Sequence, residues 1–144
     1  HPRAIIDSIL ENYNFIDHKV QFKVDVPEGF EIRTDKRRFS TILENLIGNA
    51  IKYSDADKKA VVNIILDQKH SRSRVIIKDN GLGIKKEYLE KVFERFFRAH
   101  EESSGSGLGL YIAVKTAERI NAKIDVTSEE GAGSTFTLTI MEPL

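Results

Sequence analysis

Two asparagines, a lysine and a tyrosine stand at Asn45, Asn49, Lys52 and Tyr53 within the segment LENLIGNAIKYS (43–54). At ~100° of rotation per residue these four fall on one helical arc roughly 100° wide. Phe39, Leu43, Leu46, Ile47 and Ala50 fall on a different arc and form an apolar face. An asparagine carbonyl is a hard oxygen ligand suited to Mg²⁺, and a lysine suits phosphate. The polar stripe could therefore hold an anionic, metal-bearing ligand. An ordinary solvated face of an amphipathic helix would read the same way.

A second group is Asp79-Asn80-Gly81-Leu82-Gly83, at the carboxyl end of an apolar strand-like run. Its carboxylate accepts hydrogen bonds only, so it suits an exocyclic amino group such as adenine N6, and the glycines allow close backbone approach. A plain Asn-Gly turn is the alternative. A third group, Gly105-Ser106-Gly107-Leu108-Gly109-Leu110, opens a helical pattern. Glycines at a helix N-terminus expose unpaired N–H groups at the positive end of the dipole, which favours phosphate. The G-x-G-x-G spacing is not a dinucleotide fingerprint, and no Gly-Lys-Ser/Thr follows to make a P-loop. A flexible glycine-rich loop is the alternative. Between the two groups lie Phe93, Phe96 and Phe97, which suit a core or a loop anchor. Arg95 and Arg98 are interleaved with them, and Arg98 could reach a terminal phosphate.

The elements that must position these groups follow from periodicity. Ile5, Ile6, Ile9, Leu10 and Tyr13 predict a helix over 3–15, and Val20, Phe22, Val24 and Val26 alternate as a strand ended by Pro27-Glu28-Gly29. A helix from about Lys36 to Tyr53 is capped by Thr34 or Asp35. Strands are expected near 60–67 and 73–79, a short helix near 86–92, a polar loop over 101–107 and a helix over 108–120. Strands near 123–128 and 134–140, joined at Gly131-Ala132-Gly133, close the chain. This order predicts an α+β fold with one mixed sheet and helices on one face.

Composition excludes several function classes. The 144 residues suit one domain, and 40% hydrophobic content supplies its core. Lys+Arg and Asp+Glu both number 22, so the net charge of zero predicts no general attraction to nucleic acid or an anionic membrane. Zero cysteines exclude disulfides, a thiol nucleophile and thiolate-ligated metals. His1, His18, His70 and His100 include no i,i+4 pair, and no apolar run reaches the ~18 residues of a membrane span. Met141 is the only methionine, so the chain is expected to be a domain excised from something longer.

In order along the chain, the motifs resemble the catalytic and ATP-binding domain of sensor histidine kinases, within the GHKL ATPases shared with gyrase and the mismatch-repair proteins. LENLIGNAIKYS (43–54) resembles that family's N box and DNGLGI (79–84) its G1 box. FERFFR (93–98) resembles its F box and GSGLGL (105–110) its G2 box. The resemblance covers nearly the whole chain.

The resemblance implies a two-layer α/β sandwich, with three main helices on a mixed, mostly antiparallel five-stranded sheet. By motif position Asn49 would ligate Mg²⁺, while Asn45, Lys52 and Tyr53 would line the phosphate side of ATP. Asp79 would take adenine N6, with Gly81 and Gly83 letting the nucleotide close in. Residues 99–106 would form an ATP lid. Gly105, Gly107, Leu108 and Gly109 would supply its hinge and phosphate-facing amides, and Arg98 would serve the γ-phosphate. The implied partners are a helical dimerisation domain carrying the acceptor histidine, homodimeric in the full protein and upstream of residue 1, and a response regulator. No nucleic acid and no direct membrane contact are implied, and the implied setting is the cytoplasmic part of a membrane-anchored bacterial sensor. The related ATPases carry a water-activating glutamate where this chain has Asn45, which cannot act as a base. That difference favours phosphoryl transfer over hydrolysis.

Overall fold

Helix α2 (Lys36–Lys52) begins where Asp35, in extended conformation, accepts the Arg38 N–H at 3.0 Å. Arg38 Nη1 also donates to the second Asp35 oxygen at 2.8 Å, so one carboxylate caps the helix and orients its first turn. The Arg38 N–H bond, foremost, holds the Asp35 carboxyl below its ordinary range. Phe39, Ile42, Leu43, Leu46, Ile47 and Ala50 are buried along one side of α2. Helix α1 (Pro2–Asn14) opens with proline, whose missing N–H costs nothing at that position. It buries Ile6, Ile9 and Leu10. Helix α3 (Gly109–Glu118) packs mainly on α2 and buries Ala113 and Ala117, small residues that let the two helices approach. These statements rest on a computed structural model, which describes residues 1–14, 20–98 and 107–142.

The five strands are β1 (Val20–Asp25), β2 (Ala60–Lys69), β3 (Arg72–Asp79), β4 (Ala122–Glu129) and β5 (Gly133–Met141). They form one sheet in the order β1-β2-β3-β5-β4, with β1 parallel to β2 and every other pair antiparallel. Alternate residues of β2, β3 and β5 are buried, among them Val62, Ile64, Leu66, Val75, Ile77, Phe136, Leu138 and Ile140. That two-residue period gives the sheet one face for the helices, and the core lies between the layers. The same period carries Asp79 and Ser134 onto the core-facing side at the sheet's end, where they face each other in register. The expected architecture is therefore present.

One expected element differs. In place of a helix over 86–92 there is a single 3-10 turn (Lys86–Tyr88), followed by successive turns to Phe96. Lys91, Glu94 and Phe97 donate their N–H groups to Tyr88, Lys91 and Glu94, three residues back each time. Aromatic contacts pin this tighter path. Tyr88 meets Phe97 edge-on with centroids 5.6 Å apart, and Phe93 meets Phe136 of the core at 6.2 Å. Tertiary packing outweighs the segment's helical spacing here.

Candidate functional site

The end of β3 delivers a carboxylate into the interior. Asp79 is 8% exposed, and its Oδ1 accepts the Gly81 N–H at 2.9 Å and the Ser134 N–H at 3.2 Å. Burial pushes its carboxyl above the ordinary aspartate range. The two N–H bonds and the charge of Lys58 draw it part of the way back. Both N–H bonds fall on one oxygen, which leaves Oδ2 outside that pair. Asp79, Gly83, Ile84 and Ser134 line a small inner cavity, together with Asn49, Tyr53, Val92, Phe97 and Leu110. A hydrogen-bond acceptor among mostly apolar walls suits a flat, largely apolar group bearing an amino donor.

The glycines beside Asp79 are spent on the protein's own backbone. A Cβ on Gly81 would lie 2.3 Å from the Tyr53 carbonyl oxygen. One on Gly83, at φ +72°, would lie 2.1 Å from that of Glu129. The Leu82 N–H between them donates to the Tyr53 carbonyl at 3.0 Å. These contacts seat the 79–84 segment between the end of α2 and the β4–β5 turn. Gly83 still lines the inner cavity, whereas Gly81 serves it through the bond to Asp79.

The α2 stripe opens onto a second, outer cavity. Asn45, Asn49, Lys52 and Tyr53 line it from α2, and Gly107, Leu108, Gly109 and Leu110 line it from the start of α3. Asn49, Tyr53, Val92, Phe97 and Leu110 border both cavities, so the two adjoin. Asn45 donates Nδ2 to the Thr41 carbonyl at 2.8 Å. Its Oδ1 lies 3.2 Å from where a Cβ on Gly109 would be, so the glycine brings α3 against α2. Leu108 provides no side-chain cap, and the residues that open α3, at the positive end of its dipole, line this cavity. Lys52 is exposed, with its ammonium 5.1 Å from the centroid of the Tyr53 ring. Tyr53 closes α2, its N–H bonded to the Asn49 carbonyl at 3.1 Å.

Gly107 and Phe96 are clasped together. The Phe96 N–H donates to the Gly107 carbonyl at 3.0 Å, and a Cβ on Gly107 would lie 2.7 Å from the Phe96 carbonyl carbon. Both residues have positive φ, +74° and +68°, which for phenylalanine costs ~1–2 kcal/mol. Arg98 follows in an exposed position and lines neither cavity. The expected lid, residues 99–106, and with it Gly105, lies outside the described residues.

Three polar roles escape the sequence patterns, although Tyr13 and Asn80 belong to them as residues. Ser134 acts through its backbone N–H, which any residue type supplies. Tyr13 belongs by spacing to the apolar side of α1, yet it lines the outer cavity beside Glu44 and Gly48. Burial, then the nearby Glu44 charge, raises its phenol above the ordinary tyrosine range. Asn80 ties β3 to the start of β2, accepting the Val61 N–H and donating to the Lys59 carbonyl, each at 2.9 Å. The signals were a serine directly after Gly131-Ala132-Gly133, a tyrosine one turn beyond Ile9 and the asparagine of DNGLGI.

Comparison with known proteins gives the family and the fold. The profile of the family described as histidine kinase-, DNA gyrase B- and HSP90-like ATPase matches residues 34–144. The histidine protein kinase SaeS of Staphylococcus aureus is 36% identical over 94% of this chain, which spans 41% of that relative's length. Among solved structures, the mycobacterial sensor histidine kinase MprB superposes with TM-score 0.84 at 25% identity, covering 99% of this chain and 97% of that one. The catalytic domain of histidine kinase ThkA superposes with TM-score 0.81 at 26% identity, covering 97% and 91%. The chain belongs to the histidine kinase-, gyrase B- and HSP90-like ATPase family.

Proposed function

We propose that this chain is the ATP-binding catalytic domain of a sensor histidine kinase. It holds Mg·ATP and passes the γ-phosphoryl group to a histidine on a separate helical dimerisation domain, from which it moves to an aspartate of a response regulator. The observation that carries the reading is the pair of adjoining cavities, one lined by the buried Asp79 carboxylate and the other by the glycine-bearing start of α3. Asp79 takes the adenine amino group, while Asn45, Lys52 and the first amides of α3 take the phosphates. Arg98 lies on the chain just before residues 99–106, and we assign it to the γ-phosphate once those residues close over the nucleotide.

The donor set fits Mg²⁺. Among the described residues no cluster of three histidines or carboxylates is placed to hold a metal. Asn49 offers one neutral oxygen where the two cavities meet. Mg²⁺ commonly takes one or two protein oxygens, with substrate phosphates and water completing its shell. When bound, the ion would neutralise charge on the phosphate oxygens.

Phosphoryl transfer is favoured over hydrolysis by Asn45. Its amide donates to the Thr41 carbonyl, and an amide does not take a proton from water. In this reading the chain orients the donor, and the acceptor comes from elsewhere. No helix among the described residues is long and apolar enough to cross a membrane. We infer a cytoplasmic position in a larger, membrane-anchored sensor.

The test is transfer of γ-labelled phosphate. The chain alone should bind ATP and turn it over scarcely, because alignment of an acceptor can supply ~7–11 kcal/mol of the barrier. With the helical dimerisation domain added, in cis or in trans, an acid-labile phosphohistidine should appear on that partner. Rapid hydrolysis by the chain alone, with no transfer, would overturn the kinase reading.

A further inference from the structure

We propose that Lys58 is a positioning residue for the base-recognising end of the cleft, its ammonium clasping the backbone carbonyls of Asn80 and Gly131. This rests on the nucleotide reading above. Lys58 lies in the polar link between α2 and β2, and it lines neither cavity. Its Nζ donates to the Asn80 carbonyl at 3.3 Å and also to the Gly131 carbonyl. Those acceptors belong to the two loops that frame Asp79: the segment leaving β3 and the turn between β4 and β5.

The clasp completes a closed set of bonds. The Gly131 N–H donates to the Leu82 carbonyl at 2.8 Å, and the Leu82 N–H donates to the Tyr53 carbonyl at 3.0 Å. The Ile84 N–H donates to Ser128 Oγ at 2.8 Å, tying the same segment to β4. Lys58 is itself held from below. Its N–H donates to the Asp55 carbonyl at 3.1 Å, and Asp55 Oδ2 lies 4.0 Å from its ammonium. The chain from α2 to β2 is thus shaped to present one cation to two converging carbonyls.

An ammonium suits this place for a definite reason. It carries three donors and no acceptor, so it can bond two carbonyls and still face a carboxylate. Its charge also favours the ionised form of Asp79, the form with acceptor capacity for an amino group. The side chain is 34% exposed, so water competes with these bonds and limits the effect.

The experiment compares wild type with Lys58→Met, Lys58→Gln and Lys58→Arg. It measures ADP and GDP affinity by calorimetry and amide exchange without nucleotide. Lys58→Met should weaken ADP binding by about three- to tenfold and narrow the ADP-over-GDP preference. In the same variant the Leu82 and Gly131 amides should exchange faster, while Val75–Ile77 in the centre of β3 keep their protection. Unchanged β3 exchange shows that the variant folds, and a merely stabilising lysine would not move base preference. Lys58→Arg, which keeps charge and donors, should restore both readouts, and Lys58→Gln should fall between. Wild-type affinity and preference in Lys58→Met, or unaltered exchange at Leu82 and Gly131, would overturn the role of Lys58 alone. No ADP binding by wild type would overturn the nucleotide reading and this role with it.

Discussion

Ser134 donates its backbone N–H to the Asp79 carboxylate at 3.2 Å from the facing position on the neighbouring strand. The sheet itself therefore orients the carboxylate proposed to select the base. Asp79→Asn should keep this bond, because an amide oxygen can accept from both Ser134 and Gly81. Its NH₂ would take the place of the other carboxylate oxygen and oppose the adenine amino group. Adenine nucleotide affinity should fall by ~1–3 kcal/mol, with the preference for ADP over GDP abolished. Calorimetry with both nucleotides tests this, and a retained ADP preference would remove Asp79 from base recognition.

The burial of Asp79 has a pH signature of fixed sign. Its folded-state pKa is raised, chiefly by desolvation, so the folded protein binds this proton more tightly than the unfolded chain does. Stability from this group therefore declines as pH rises from the ordinary aspartate range through the raised value. Asp79→Asn removes that slope, and wild type minus variant in denaturant titrations should isolate it. ADP affinity should run the opposite way, falling as pH drops through the raised value, because protonation consumes acceptor capacity.

The same physical property can be legible in sequence while its partner is not. Glycine at positions 81 and 83 signals close approach, and the approach is real. What comes close is the backbone of Tyr53 and Glu129, residues 28 and 46 positions away (81 − 53 and 129 − 83). Helix α2 was readable because its apolar period and the Asp35 cap are local, and the inward side of each strand was readable from alternation. The proposed base-recognising end involves the Ser134 backbone N–H and the carbonyls that the Lys58 ammonium reaches across long-range turns. No local pattern encodes those. The segment 86–92 shows the reverse failure: its spacing is helical, but Phe93 and Phe97 are drawn onto Phe136 and Tyr88.

Gly83 and Gly131 separate conformation from crowding. Their φ values are similar, +72° and +84°, yet a Cβ on Gly131 would meet nothing within 4 Å. Gly131→Ala should therefore cost only the ~1–2 kcal/mol of a left-handed non-glycine residue. Gly83→Ala carries that cost and also drives a Cβ onto the Glu129 carbonyl, adding ~1–3 kcal/mol. Gly83 also lines the inner cavity, so its variant should lose nucleotide affinity as well as thermal stability. Equal losses of stability in the two variants would contradict the packing at Gly83.

Asn49 tests the metal. It is half-buried and borders both cavities, and the apolar face of α2 owes nothing to its side chain. Asn49→Ala should therefore fold, since alanine is the better helix former. Removing the oxygen should act on affinity only when Mg²⁺ is present. Loss of even a supporting partner of a metal ligand typically costs 10–100-fold, so the Mg²⁺-dependent gain in ATP affinity should shrink by roughly that factor or more. Affinity measured in chelator should stay near the wild-type value, because adenine contacts at Asp79 are untouched. ATP titrations of both proteins with Mg²⁺ and with chelator give the four values required. An unchanged Mg²⁺ effect in Asn49→Ala would place the ion on other residues, while equal losses with and without Mg²⁺ would make Asn49 a nucleotide contact instead of a metal ligand.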